Sequence, residues 1–263
     1  MGLSAAPASM FSTRDRYFAP CVLAPFAEDM ARRLGRLSNG PALEILSSTG
    51  TLTQGMASSL SAGMTIIATD PDPAAVAHAS GKPGMGRVTW QTAEPSALPF
   101  RDATFGVISC LLALSTLPNR LAVFQEVRRV MKPGARFLFS VFGNIRQNPV
   151  ADCIQAALDA MAPEQPPSFI SHGMHGYANC ETIDDDLTAA GFTDAIYTTV
   201  DVPFVAASAS EVATGYCLGT KLHQEIGRRF PDCTDIVTQA LEKQFGTGTI
   251  RSTMRAHVVT AAG

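Results

Sequence analysis

A chain of 263 residues with 46% apolar side chains can bury a substantial core, so it needs no disulfide staple or structural metal to fold. A formal net charge of −3, with no run of Lys or Arg longer than two, excludes the basic stripe that a nucleic-acid backbone requires. Charged residues make up only 16%, below the roughly 25% of an average soluble domain, so part of the surface is small and uncharged or lies against a partner; a homodimer is one arrangement this composition allows.

Six cysteines (Cys21, Cys110, Cys153, Cys180, Cys217 and Cys233) form no C-x-x-C pair and have no His at metal-ligand spacing, which reads as buried thiols in a reducing compartment and no metal site. The N-terminus, MGLSAAPASMFSTRDRYFAP, lacks the charged start and apolar stretch of a secretory signal. No apolar run approaches the ~20 residues of a membrane span. The expectation is a cytoplasmic protein, away from membranes.

In chain order, Val22, Leu23, Phe26, Met30 and Leu34 recur at helical intervals, and Asn39-Gly40-Pro41 breaks the chain after them. Ala42 to Leu46 is a short apolar run between turn formers, as a buried parallel strand should be. A Ser/Thr/Gly loop (Ser47 to Thr51) leads to a helical stretch ending near Leu60, and a second strand, Met64 to Thr69, ends at Asp70-Pro71. Asp72 to Ser80 reads as a helix, Val88 to Thr92 as a third strand and Phe105 to Leu112 as a fourth. Leu121 to Met131 carries one apolar face and stops at Lys132-Pro133-Gly134, and Arg136 to Phe142 is the fifth strand. This alternation implies an α/β fold with a doubly wound, mostly parallel sheet, whose ligand sits at the carboxyl ends of the central strands.

Further on come a helix from Val150 to Met161, a Pro-rich segment (162–167), the loop Ser171 to Gly176, a helix from Glu181 to Ala190, a strand from Thr193 to Phe204, helical stretches Ser210 to Phe230 and Cys233 to Phe245, and a last strand from Ile250 to Thr260. These pieces read as a helical lid plus two closing strands.

Four ordered segments between Ala42 and Gly143 resemble the class I methyltransferases that use S-adenosylmethionine, in particular the small-molecule branch (methyltransferase type 11) with ubiquinone- and menaquinone-type enzymes. Leu43-Glu44-Ile45-Leu46-Ser47-Ser48-Thr49-Gly50 fills the place of the family's acid and glycine-rich turn; only Gly50 survives of the glycines, with Leu46 and Ser48 at the other two places. Asp70 ends the second strand, where the family's acid accepts from the ribose hydroxyls; the same Asp could instead cap the next helix. Ala93 to Phe100, continuing through Arg101 to Phe105, matches the third-strand loop and puts Glu94 and Pro95 where the family approaches adenine, although an exposed loop carboxylate would look the same. Phe105 to Cys110 and Glu126 to Phe137, with its K-P-G turn, match the fourth strand and the following helix–turn–strand.

The resemblance implies a Rossmann-like sheet of seven strands under a helical lid. It also implies a single domain over 1–263, made of an N-terminal helical segment (1–40), a cofactor-binding core (41–143) and lid or substrate-side helices (144–180 and 208–247). S-adenosyl-L-methionine is the implied cofactor, with Tyr17, Glu44, Ser47, Gly50, Asp70, Pro71, Glu94, Pro95, Cys110 and Leu111 as the residues around it. Transfer to a small organic acceptor is the implied activity; a non-methylating descendant that keeps the fold, as a binding subunit or an enzyme of another reaction, is the alternative. A G-x-G-x-x-G after the first strand and a P-loop are both absent, which disfavours a nucleotide-dependent oxidoreductase.

Where an oxygen acceptor must lose a proton, a His can take it, and His172 and His175 in the Gly-flanked loop are the candidates. They could also contact substrate, pair around a metal, or be plain loop residues. Tyr17 and Phe18 lie where the N-terminal segment of related enzymes folds over the cofactor, though they could equally be an apolar anchor on the sheet edge; Arg14, Arg16 and Asn144 are substrate-side candidates by position alone.

Overall fold

A computed structural model describes residues 7–37 and 40–263. The break expected at Asn39 and the first six residues of the N-terminus lie outside the described residues. A long N-terminal helix runs unbroken through α1 (Pro7–Thr13), a π-helical stretch (Arg14–Leu23) and α2 (Ala24–Leu37). Pro20, which has no N–H to give, lies within the π-helical stretch, where the widened turn accommodates it.

Then follow β1 (Ala42–Glu44), α3 (Thr51–Ser59), β2 (Ile66–Asp70), α4 (Pro73–Ser80), β3 (Val88–Thr92), β4 (Phe105–Leu111), α5 (Arg120–Val130) and β5 (Met131–Phe142). The second half contains α6 (Pro149–Met161), a π-turn (Phe169–Met174), α7 (Cys180–Ala189), β6 (Asp194–Ala206), α8 (Ala209–Gly219), α9 (Leu222–Ile226), α10 (Cys233–Phe245) and β7 (Ile250–Ala262). The helical run expected over Ser210 to Phe230 is therefore split at Thr220–Lys221.

The seven strands form one sheet in the order β3-β2-β1-β4-β5-β7-β6, with β1 to β5 parallel and β7 antiparallel to both neighbours. The chain order reverses at β1, between β2 and β4, which opens a crevice at the carboxyl ends of those strands. β1 is wholly buried and β4 nearly so, because parallel strands covered on both faces must be apolar throughout. One face packs against α5 and α7 through a cluster that includes Phe124, Phe137, Phe139 and Phe192. The other face is covered by α2 and α3, through Met30, Leu34, Leu52 and Met56.

The β6–β7 hairpin is longer than the sheet beside it. β7 pairs with β5 only from Ala256 to Ala262, so Ile250–Arg255 and their partners Asp201–Ala206 continue past the carboxyl end of β5. Six residues extend about 20 Å. On this projection Val202, Phe204, Ala206, Ile250 and Met254 pack with the N-terminal helix, α6, α8 and α10 in one apolar cluster. The helical layer is thereby carried over the strand ends.

The N-terminal helix meets α8 at two glycines. A Cβ on Gly215 would lie 2.9 Å from the backbone C and O of Tyr17, and one on Gly219 would lie 2.9 Å from Cα of Arg14. Backbone cannot move aside as a side chain can. Gly215→Ala is expected to destabilise by about 1–3 kcal/mol through forced overpacking, read as a lowered denaturant midpoint, whereas Gly63→Ala, with open space around it, should leave the midpoint nearly unchanged. Equal midpoints for the two variants would contradict this close packing.

Candidate functional site

After Glu44 the chain must turn from β1 into α3 within six residues, and it does so through the left-handed region. Leu46 (φ 56°), Ser48 (φ 48°) and Gly50 (φ 78°) alternate with residues that are not left-handed. Those are the three positions at which the resemblance calls for glycine. The backbone path persists although two of the glycines do not, at about 1–2 kcal/mol for each non-glycine residue held there. At Gly50 the space is closed as well, since a Cβ would come within 2.9 Å of the Trp90 ring.

Several hydrogen bonds hold this turn. The Ser47 amide donates to Thr69 O (2.9 Å), the Gly50 amide to Ser47 O (2.8 Å), and the Ser48 amide to Asp70 Oδ2 (2.8 Å). Lys82 Nζ donates to Thr49 O (2.5 Å) and also pairs with Asp15 Oδ2 (2.5 Å), which receives His78 Nε2 at 2.7 Å. Burial favours the protonated form of Asp15, but the bonds from Lys82 and His78 outweigh it and keep the carboxyl below its usual range. The N-terminal helix is thus tied to the turn and to α4.

Asp70 is not the cap of α4. That task falls to Asp72, whose Oδ1 accepts the Ala74 amide at 2.8 Å ahead of Pro73. The Asp70 carboxylate instead accepts one backbone N–H on each oxygen, from Ser48 and from Asp72 (3.0 Å), leaving acceptor capacity toward the crevice. Burial raises its pKa, opposed by those two amides.

A cavity of about 390 Å³, in the range of small-molecule sites, fills the crevice. Its walls include Glu44, Leu46, Ser47, Ser48, Thr49, Asp70, Pro71 and Asp72 on one side. Leu111, Leu112, Ala113 and Phe142 at the ends of β4 and β5 form another wall. Met10, Phe11, Arg14, Phe18 and Leu23 of the N-terminal helix, Phe169 and Met174 of the π-turn, and Thr220 and Lys221 complete it. Among the described residues, three of the four non-glycine residues with positive φ (Leu46, Ser48 and Leu112, but not Ala103) line this one cavity. Such strain concentrates where a binding site dictates the backbone.

The wall also holds polar atoms that are buried with no hydrogen bond among the described residues: Ser47 Oγ, Thr49 Oγ1 and Arg14 Nε. Desolvation lowers the Arg14 pKa against the opposing pull of Asp70 and Asp15, and its Nη1 has only a long contact, 3.4 Å, with Gly219 O. Glu44 is 1% exposed, and the Thr53 hydroxyl donates to its Oε2 at 2.5 Å. Burial pushes its pKa up to about 8; the Thr53 bond opposes this and the Asp70 charge adds to it.

Of the residues singled out from sequence, Glu44, Ser47, Asp70, Pro71 and Leu111 line the cavity, as do Arg14 and Phe18. The rest lie elsewhere. Gly50 sits behind the turn, Cys110 is buried within β4 with its thiol pKa pushed up by burial, and Tyr17 is half-buried under the Arg16 guanidinium. Glu94 is exposed and Pro95 is buried, both off the cavity wall. Their loop owes its shape to Arg129, which donates to Leu98 O, Phe100 O, Asp102 and Glu126.

His172 is exposed with Nδ1 3.0 Å from Ser171 Oγ, and His175 is buried, with Nδ1 2.8 Å from Gly143 O. A carbonyl only accepts, so Nδ1 of His175 carries a proton; burial holds its pKa down at about 4. Neither histidine lines the cavity, and among the described residues no group of His, Cys, Asp and Glu is arranged to hold a metal. No helix among them is long and apolar enough to cross a membrane.

Sequence reasoning did not single out Phe142, Phe169, Met174, Thr220 or Lys221 one by one, although all but Phe142 fall within the segments expected to form the lid.

Comparison with known proteins bears on this geometry. Residues 43–139 match the family described as methyltransferase domain. The chain is 28% identical over 111 residues to the ubiquinone/menaquinone biosynthesis C-methyltransferase UbiE of Geobacter sulfurreducens, covering 41% of this chain and 43% of that protein. It is 30% identical over 105 residues to the demethylmenaquinone methyltransferase of Lactiplantibacillus plantarum, covering 38% of this chain and 44% of the relative. The chain therefore spans less than half the length of these two curated relatives.

Solved structures share the fold across most of the chain. YcgJ of Bacillus subtilis superposes with a TM-score of 0.57 at 17% identity over 90% of this chain and 97% of that one. Phosphoethanolamine N-methyltransferase 2 of Haemonchus contortus, in complex with S-adenosyl-L-methionine, gives 0.59 at 16% identity over 96% of this chain and 56% of that one. The [4+2]-cyclase SpnF gives 0.56 at 18% identity over 90% and 80%.

Glu44 sets a pH dependence for this domain. Its folded pKa lies above the unfolded value near 4.5, so the native state binds the extra proton and stability falls as pH rises from about 4.5 to about 8. Each pH unit across that window removes up to about 1.4 kcal/mol. Glu44→Gln should lose this slope, so that melting curves recorded from pH 5 to pH 8.5 converge on or cross those of the unaltered protein. Parallel pH profiles for the two proteins would refute a neutral Glu44.

Proposed function

We propose that this protein is an S-adenosylmethionine-dependent methyltransferase that acts on a small organic acceptor. The observation that carries the reading is the turn at Leu46–Gly50: a strained left-handed path, held against a buried carboxylate and lined by unpartnered polar atoms, at the switch point of the sheet, within residues 43–139 that match the methyltransferase-domain family. Left alone, each unpartnered buried atom costs about 1–3 kcal/mol. A ligand with a carboxylate and an ammonium at one end, and hydroxyls further along, would satisfy them.

The residues present fit that cofactor. Arg14 Nε, Ser47 Oγ, Thr49 Oγ1 and the N-terminus of α3 would hold the amino-acid carboxylate, and Glu44 the ammonium beside it. Asp70 would accept from the ribose hydroxyls through the lone pairs its two amide bonds leave free. The cofactor supplies an electrophilic methyl group on a sulfonium. This chain supplies alignment and a dry surround: Leu111, Leu112, Phe142 and Phe18 line the cavity and exclude water from the reacting centre, and holding donor and acceptor in contact accounts for much of the rate in such a displacement. The likeness to UbiE-type enzymes supports a conjugated, largely apolar acceptor.

Equilibrium dialysis with methyl-labelled S-adenosylmethionine tests the reading. Asp70→Ala removes the charged acceptor and should weaken binding at least tenfold, at about 1.5–3 kcal/mol per charge-assisted bond. Replacing Leu46 and Ser48 together by glycine relieves the left-handed strain and should leave affinity unchanged or tighter. Binding that ignores Asp70→Ala would overturn the cofactor placement, and tight binding without transfer to any acceptor would favour the non-methylating reading.

A further inference from the structure

We propose that the acceptor is a planar apolar acid, methylated at an atom that is already anionic, with its charge held by Lys221; this rests on the methyltransferase reading above. The cavity divides by chemistry. All its carboxyl groups (Glu44, Asp70 and Asp72) come from β1, β2 and the start of α4, on the wall assigned to the cofactor. A second wall, drawn from other elements, carries Phe142, Phe169, Met174, Thr116, Thr220 and Lys221.

Among the described residues on that second wall there is no imidazole, carboxylate, thiol or phenol to remove a proton. Both hydroxyls already donate elsewhere, Thr116 Oγ1 to Ala113 O (2.8 Å) and Thr220 Oγ1 to Tyr216 O (2.6 Å). Lys221 lines the cavity, exposed and with no ion pair among the described residues, so its ammonium is uncommitted. A cation beside the nucleophile favours the ionised acceptor, by the same rule that lowers an acid's pKa near an opposite charge.

The wall is built to keep its position. Glu225 Oε2 accepts the amides of Ser168 (2.6 Å) and Phe169 (3.0 Å), Gln155 Oε1 accepts the Ser171 amide (3.1 Å), and His175 ties the end of the π-turn to Gly143. Flat rings on Phe142 and Phe169 suit a flat partner.

The chemistry closes without a base. A lone pair on the anionic atom forms the new bond to the methyl carbon as the carbon–sulfur bond breaks, and the departing pair stays on sulfur, which becomes a neutral thioether. The acceptor's negative charge and the sulfonium's positive charge cancel, and no proton moves.

The test uses calorimetry and initial rates with the full chain. 2-Naphthoate should bind in the presence of S-adenosylhomocysteine at least tenfold more tightly than 2-naphthalenemethanol; Lys221→Ala should erase that preference by weakening only the acid, and Lys221→Arg should restore it. Across a series of phenols of graded acidity, the pH midpoint of kcat/KM should follow the acceptor's own pKa. Equal binding of acid and alcohol, or a midpoint that stays fixed along the series, would overturn the proposal. If S-adenosylhomocysteine itself fails to bind, the methyltransferase reading falls, and the acid subsite is then judged by naphthoate binding alone, where indifference to Lys221→Ala rejects it.

Discussion

The bond from the Ser48 amide to the Asp70 carboxylate is the constraint on which the rest of the site depends. It joins the turn after β1 to the end of β2, and it can form only if the chain passes through left-handed conformations at Leu46 and Ser48. Glycine would reach those conformations without strain, whereas Leu and Ser must be held there. What holds them is visible: the amides of Ser47 and Gly50 are satisfied inside the turn, Lys82 grips Thr49 O from the far side, and the Leu46 side chain packs against the cluster of Leu43, Ile108 and Phe139. Packing of a leucine is thus exchanged for backbone freedom.

The second dependence is on the overlong hairpin. A sheet that ended at Phe142 would leave the crevice open to solvent. Because β6 and β7 run on past β5, they give α6, α8 and α10 an apolar surface to pack on above the strand ends, and glycines on α8 let the N-terminal helix approach closely enough for Arg14 and Phe18 to reach the cavity. Edge position explains why β6 tolerates Pro203 and an exposed Ile196. Fold and site are coupled here through packing, with the chemistry confined to a few polar atoms in an otherwise apolar chamber.

Much of this was legible in the sequence for physical reasons. Buried parallel strands must be short apolar runs between turn formers, so β1, β2, β4 and β5 stand out, and Asp70 follows as the residue ending β2. The turn was not legible, because side-chain identity at Leu46 and Ser48 argues against the conformation they adopt; only the surrounding contacts reveal it. The π-helical stretch was not read because the helical spacing of apolar residues was followed only from Val22, and the start of β5 at Met131 was hidden by the Lys132-Pro133-Gly134 turn. His172 and His175 attract notice as a pair in a Gly-flanked loop, but the π-turn directs one to solvent and the other to a backbone carbonyl, away from the cavity wall. Lys221 carries no local signal at all, since its place comes from a break between two helices that periodicity runs together.

The central claim, that a turn with leucine and serine in place of glycine is a working cofactor cradle, is tested most directly by a crystal structure of the protein grown with S-adenosylhomocysteine. The account predicts the ribose hydroxyls within hydrogen-bond distance of Asp70, the amino-acid carboxylate beside Arg14, Ser47 and Thr49, and φ angles at Leu46 and Ser48 still in the left-handed region. A ligand bound elsewhere, or a turn that must leave the left-handed region to admit it, would contradict the account.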